Sequence, residues 1–242
     1  MSGGDDWHPV GLSHSVEAGS SAGTRLFGRE LVVWRDSKGV AHVWEDRCPH
    51  RGMKLSFGFV RGDHIACLYH GWQYNGVGHC QYIPAHPDLE VPNTIKVPVY
   101  PAHERSGMIW TNLSPTPAAF DVTEEVITPL HSLYFEADLE AAIAALGSVR
   151  LVPFASQDPA DTRVNEVTGK LYTVTSGNDR LLIGIQCVSG SRTGLHIAIS
   201  GSPMLYQGSG QRHFLDWALQ LRRTIERPIS ALSAGSSAAG RA

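Results

Sequence analysis

Two short stretches decide how this chain is read: Cys48-Pro-His-Arg-Gly52 and Cys67-Leu-Tyr-His-Gly-Trp-Gln-Tyr74. The first offers a Cys-x-His pair and the second a Cys-x-x-His pair, with sixteen residues between His50 and Cys67. Two thiolates and two neutral imidazoles are enough to close a metal site, and the same set holds tetrahedral zinc in structural sites. The order of the residues opposes zinc. Zinc fingers tend to present both cysteines together and then both histidines, often on a helix, whereas here each short motif supplies one of each from a β-rich loop.

The flanking sequence supports that β setting. Leu31-Val-Val-Trp34 and Val40-Ala-His-Val-Trp44 are joined by Asp36-Ser-Lys-Gly39 and predict a β-hairpin. Further apolar runs at 64–68, 95–100 and 107–113, separated by Gly and Pro, have the spacing of an all-β sandwich or barrel. Composition shifts at Ser114-Pro-Thr-Pro117, a domain boundary. Beyond it, strong helix formers over 136–146 with Gly147 as stop predict a helix. Strand-like runs follow at 149–154, 163–174, 181–188 and 193–200, the middle pair joined by a turn over 176–179. A second helix is expected over 213–227, with Phe214, Leu215, Trp217, Ala218, Leu221 and Ile225 largely on one face and Pro228 as breaker. Residues 230–242, rich in Ser, Ala and Gly, read as a disordered tail.

Composition closes off several classes. Across 242 residues, 42% hydrophobic and 18% charged content is enough apolar surface for a core, which excludes disorder. Lys and Arg number 20 against 23 acids, a net charge of −3, so neither nucleic acid nor an anionic membrane is an expected partner. Four cysteines are too sparse for a disulfide scaffold. The opening MSGGDDWHPV lacks the basic and apolar segments of a secretory signal, and the longest apolar run, 181–188, is strand-sized. The expectation is a soluble, cytoplasmic protein whose thiols are reduced unless a metal holds them.

Two cysteines on one iron and two histidines on the other is the ligand pattern of the Rieske variant of the [2Fe–2S] centre. Cys48-Pro-His-Arg-Gly52 and Cys67-Leu-Tyr-His-Gly-Trp72 resemble the form found in ring-hydroxylating and demethylating Rieske oxygenases, and Trp7-His-Pro-Val10 resembles the opening strand of those enzymes. Respiratory Rieske proteins are similar but carry an extra cysteine in each loop, where this chain has Met53 and Leu68. The resemblance implies a mainly β N-terminal Rieske domain, an antiparallel β-sandwich over 1–116, followed over 117–229 by a small α+β domain resembling a truncated helix-grip fold. It implies Cys48, His50, Cys67 and His70 as cluster ligands, with Arg51, Tyr69 and Trp72 as the shell that orients them and shields sulfur. Replacing two thiolates by imidazoles raises the potential from about −400 mV to within roughly −150 to +300 mV, suited to passing single electrons. In the family the histidine-bound iron lies at the domain tip, so His50 and His70 are the expected exit for electrons.

Whole Rieske oxygenases also carry a mononuclear ferrous iron held by two histidines and a carboxylate. After residue 114 this chain has only His131, His196 and His213, separated by 65 and 17 residues, without the family's close pair. No mononuclear iron is therefore expected in this chain. His131 reads as a loop residue, His196 as a core or sheet residue and His213 as lying near a helix start. Cys80 and Cys187 read as free thiols, and His79 and His86 as loop residues. The favoured reading is an electron-transfer subunit of a multicomponent Rieske oxygenase. It would take electrons from a reductase or ferredoxin donor and pass them to an oxygenase subunit carrying non-heme iron. The alternatives are a self-contained oxygenase with a divergent iron site, acting on a small aromatic or N-methyl substrate, and a stand-alone Rieske ferredoxin.

Overall fold

The computed structural model describes residues 6–154 and 160–226; the tail expected over 230–242 lies outside the described residues. The N-terminal part runs β1 (His8–Leu12), β2 (Ser21–Leu26), β3 (Arg29–Arg35), β4 (Ala41–Glu45), β5 (Phe59–Arg61), β6 (His64–Ala66), β7 (Gln73–Asn75), β8 (Cys80–Tyr82), β9 (Val99–Tyr100), β10 (Ala102–Arg105) and β11 (Met108–Thr111). The rest is β12 (Ile127–Phe135), α1 (Leu139–Ala145), β13 (Arg163–Thr168), β14 (Leu171–Ser176), β15 (Asp179–Ser189), β16 (Arg192–Ser200), α2 (Pro203–Tyr206) and α3 (Ser209–Ile225). The strands form three small N-terminal sheets, β1-β11-β10, β2-β3-β4-β9 and β5-β6-β7-β8, and one five-stranded sheet, β12-β16-β15-β14-β13. Within these sheets the pairings are antiparallel.

The expected hairpin is β3–β4, with Val33 opposite Val43. Asp36 closes its turn by accepting from Lys38 N–H and Val40 N–H at 2.9 Å each. In the five-stranded sheet the period-two alternation sorts side chains onto two faces. Leu181, Ile183, Ile185, Leu195, Ile197 and Ile199 pack with Phe214, Trp217 and Leu221 of α3 and with α1. Leu182 and Ala198 face the opposite way and pack with Leu12, Met108 and Trp110 of the N-terminal strands. The large sheet is thus a middle layer, helices on one face and the N-terminal part on the other. Gly184 sits at that second face, where an added Cβ would lie 2.6 Å from Met108 Sδ and 3.0 Å from Pro9 Cγ.

Several expected boundaries move. The run at 163–174 is two strands of a hairpin, β13 and β14, turning at Gly169-Lys170. Only Val99–Tyr100 of the run at 95–100 is strand, and the first helix is limited to Leu139–Ala145, with Asp138 capping Ala141 N–H at 2.8 Å. Residues 149–154 form no strand, because their backbone groups bond to side chains instead of a ladder. Val149 C=O accepts from Trp217 Nε1 at 3.1 Å, Leu151 N–H donates to Thr162 Oγ1 at 2.8 Å, and Phe154 N–H donates to Asp179 Oδ2 at 2.7 Å. The nine-residue β12 was not foreseen, since Pro129 interrupts its pattern. It is an edge strand whose register shifts between Pro129 and His131, the setting in which a sheet tolerates proline. α3 begins four residues before the expected 213. The side chain of its third residue, Gln211, accepts from Gly208 N–H at 3.0 Å and donates to Pro129 C=O at 2.7 Å.

Candidate metal centre

The two cysteine–histidine motifs lie on loops at one end of the N-terminal part, the first between β4 and β5, the second between β6 and β7. The loops share one backbone pattern. Cys48 N–H donates to Met53 C=O and Gly52 N–H to Cys48 C=O, both at 2.8 Å; Cys67 N–H donates to Trp72 C=O at 2.9 Å and Gly71 N–H to Cys67 C=O at 3.0 Å. In each the glycine four residues after the cysteine has a positive φ, +73° at Gly52 and +70° at Gly71, a conformation that favours glycine. Asp46 pins the first loop at both ends: nearly buried, it accepts Ser56 N–H at 2.7 Å and Ser56 Oγ–H at 2.6 Å.

These loops bring the four expected ligands together as two unlike pairs. Cys48 and Cys67 are 2% and 3% exposed and belong to a core with Trp34, Trp44, Ile65 and Tyr74. His50 and His70 are exposed, their ring centroids 4.6 Å apart, and their ring nitrogens make no hydrogen bond to described residues. Trp72 stacks flat on His50 at 4.3 Å with 3° between the planes, and Tyr69 stacks on His70 at 3.9 Å. The Arg51 side chain is exposed, and that residue reaches the sulfur only through its backbone N–H.

The two thiols are pulled in opposite directions. A hydrogen bond from Cys67, the Tyr74 hydroxyl at 3.1 Å, and the N–H groups of His50 and Arg51 outweigh burial and pull the Cys48 thiol down to about 5. Cys67 is held up because its proton is the one shared with Cys48, and burial adds to this, although the N–H groups of Tyr69 and His70 are also aimed at its sulfur. Burial first, then the bond to Cys48, pushes the Tyr74 hydroxyl up, so it stays a donor. Tyr74 ends the second motif two residues after Trp72, on β7 beneath the loops, and that place brings its hydroxyl to Cys48. Two buried sulfurs on one side and two exposed imidazoles on the other suit a centre with two metals and two ligand types. Among the described residues no three or more His, Cys, Asp or Glu side chains gather to hold a single ion, as one tetrahedral zinc would require.

Residues 6–101 match the family profile described as the Rieske [2Fe-2S] domain. The chain carries a Rieske domain and is homologous to Rieske oxygenase α subunits. Its cofactor is the [2Fe–2S] cluster of that family. Among similar curated proteins is the oxidoreductase NdmD of Pseudomonas putida, 35% identical over 59% of this chain and 26% of that protein. Another is the methylxanthine N1-demethylase NdmA of the same organism, 42% identical over 49% of this chain and 34% of that protein. The matched region thus spans about a quarter to a third of the length of these relatives. The fold is similar to that of dicamba monooxygenase, with a TM-score of 0.69 at 16% identity over 95% of this chain and 90% of that one.

The chain's other histidines and cysteines lie outside these two loops. His131 is exposed on β12, and His213 lies one turn into α3, where its Nε2 donates to Val152 C=O at 2.7 Å. His196 is fully buried on β16, with Ser132 Oγ 2.8 Å from Nδ1 and Gln186 Oε1 2.8 Å from Nε2. Cys80 is buried in the core behind the loops, Cys187 is partly exposed, and both are free thiols. His79 bridges to Lys96, and His86 is exposed. No helix among the described residues is long and apolar enough to cross a membrane.

Proposed function

We propose that this chain is the electron-transfer subunit of a multicomponent Rieske oxygenase, taking single electrons from a reductase or ferredoxin and passing them to a mononuclear non-heme iron on a partner subunit in the cytoplasm. Cys48, Cys67, His50 and His70 would hold the cluster, the thiolates at one iron and the imidazoles at the other. The division of labour follows the chain, with the cluster unit over 1–116 and a reduced unit over 117–229 as an assembly surface. The cluster supplies reversible one-electron chemistry. The chain's residues set its conditions: N–H and O–H donors receive the sulfur charge, Trp72 and Tyr69 fix the two rings, and the exposed imidazoles form the edge nearest a partner.

One observation carries the choice of subunit. Beyond residue 114, His196 has both ring nitrogens engaged and His213 is bonded to Val152, while His131 faces outward on β12. Among the described residues none of the three belongs to a group of three or more His, Cys, Asp or Glu side chains that could hold a metal ion. The extent of the fold similarity to dicamba monooxygenase favours a second reading, a self-contained oxygenase with a divergent iron site. Iron and acid-labile sulfide per purified chain, with affinity capture of partners, separates the two. Two irons and a stoichiometric oxygenase-like partner are expected; three irons and substrate-dependent oxygen uptake by the protein alone would overturn the proposal. The ligand assignment has its own check: His70→Ala abolishes the Rieske-type absorption and electron paramagnetic resonance signals, and their retention would refute it.

A further inference from the structure

The charge of the loop tip is opposite to that of the chain. The protein as a whole carries −3, yet from Arg47 to Arg61 there are four cations, Arg47, Arg51, Lys54 and Arg61, and no carboxylate. From Cys67 to Pro87 there is no Lys, Arg, Asp or Glu at all. Lys54 is spoken for by Glu30 at 2.6 Å, and Arg61 lies two residues from Asp63. Arg47 and Arg51 remain, both exposed and neither in an ion pair among the described residues. Arg47 lies along the first loop, its Nε 3.3 Å from where a Cβ on Gly52 would be, and Arg51 directly follows His50. Beside them the neighbouring rings of Tyr69, His70, His50 and Trp72 run across the tip, with Tyr69 55% and Leu68 48% exposed. The nearest acids downstream, Asp88 and Glu90, begin four residues past Pro84, which covers Gly71.

An exposed apolar and aromatic centre with two unpaired guanidiniums at its margin is an interface composition, and the free charges give it a sign. We propose that this tip docks an electron-transfer protein whose own redox centre is ringed by carboxylates, against the negative charge of the chain as a whole. Guanidiniums suit that partner because they pair carboxylates bidentately, and steering by a local positive field speeds encounter at low salt. The inference rests on the electron-transfer reading above and specifies the partner's chemistry.

Ferricyanide, a trianion, is the probe: mixed with the reduced holoprotein it takes one electron and becomes ferrocyanide, with no bond made or broken and no proton moved. The rate, followed by the return of the oxidised absorption, should fall by about fivefold or more as ionic strength rises from about 10 mM to about 300 mM, because screening removes the attraction. Cationic hexaammineruthenium(III) should show no such fall. Arg47→Gln combined with Arg51→Gln should slow ferricyanide at low salt by about threefold or more and flatten its salt dependence. A ferricyanide rate that rises with salt, as the net charge of −3 alone dictates, would overturn the proposal. If the double variant loses the cluster, its absorption reports this and the unmodified protein's salt dependence decides alone. A chain with three irons and its own oxygen uptake would sink the subunit reading while leaving this salt dependence intact.

Discussion

At the scale of single residues, Tyr74 illustrates how the site tunes its chemistry. Its hydroxyl reaches Cys48 Sγ at 3.1 Å from a fully buried ring, and its position on β7 fixes it there. A donor on sulfur favours the more negative, reduced state, so Tyr74→Phe should lower the midpoint potential. At about 1 kcal/mol of difference between the two redox states, the shift is about 40 mV for one electron, measured by redox titration. An unchanged potential would mean the bond is redox-neutral. His196 makes the corresponding case for stability. Gln186 donates through Nε2 to Arg25 C=O at 2.7 Å, which turns its Oε1 toward His196 and fixes the neutral tautomer with the proton on Nε2. Burial alone holds this imidazole down at about 3, below its ordinary 6.5. Between those values the unfolded chain takes a proton that the native protein refuses. The contribution is therefore complete above about pH 6.5 and is lost as pH falls, at a slope approaching about 1.4 kcal/mol per pH unit. Denaturant titrations at about pH 7.5 and pH 5 should show a loss that His196→Gln reduces by about 2 kcal/mol; equal losses in both proteins would disprove it.

Among elements, what the sequence reveals depends on whether an element's reason is local. Asp36 to Gly39 closes its own turn, so β3–β4 was legible from the residues that form it. Cys48, His50, Cys67 and His70 could be singled out from the sequence because each pair sits within one short motif, and the fold sets those two motifs side by side on neighbouring loops. Residues 149–154 were not legible, because what removes them from a sheet is Trp217, 68 positions away in the chain. β12 was hidden by Pro129, a breaker that only an edge position and a bulge accommodate. Gly184 belongs to the same class. In sequence it interrupts an apolar run, whereas in the fold it is where Pro9 and Met108 press on β15. Gly184→Val should therefore destabilise the protein by about 1–3 kcal/mol through overpacking, read from the denaturant midpoint. Val fits the strand's own preference for β-branched residues, so a neutral or stabilising result would show that this face has room to spare.

Across the whole molecule, the boundary expected near Ser114-Pro-Thr-Pro117 does not divide the core. Leu12, Met108 and Trp110 from before it are buried with Val122, Leu171, Leu182 and Ala198 from after it. Polar bonds cross the same seam. Phe27 N–H and Gly28 N–H, at the tip of the β2–β3 hairpin, donate at 2.8 Å to Cys187 C=O and Val188 C=O on β15, and Gln186 Nε2 donates to Thr24 Oγ1 at 2.8 Å. Opening the seam would expose that apolar cluster to water and exchange these hydrogen bonds for bonds to water, a loss of about 0.5–1.5 kcal/mol each. Neither part can then lose its structure without removing a wall of the other's core. Heating the holoprotein in a calorimeter should give one transition whose calorimetric and van't Hoff enthalpies agree, with the visible absorption of the cluster and the far-ultraviolet signal of the sheets lost together. Two resolved transitions, or cluster loss well before the sheets melt, would mean that the shared core does not couple the two parts.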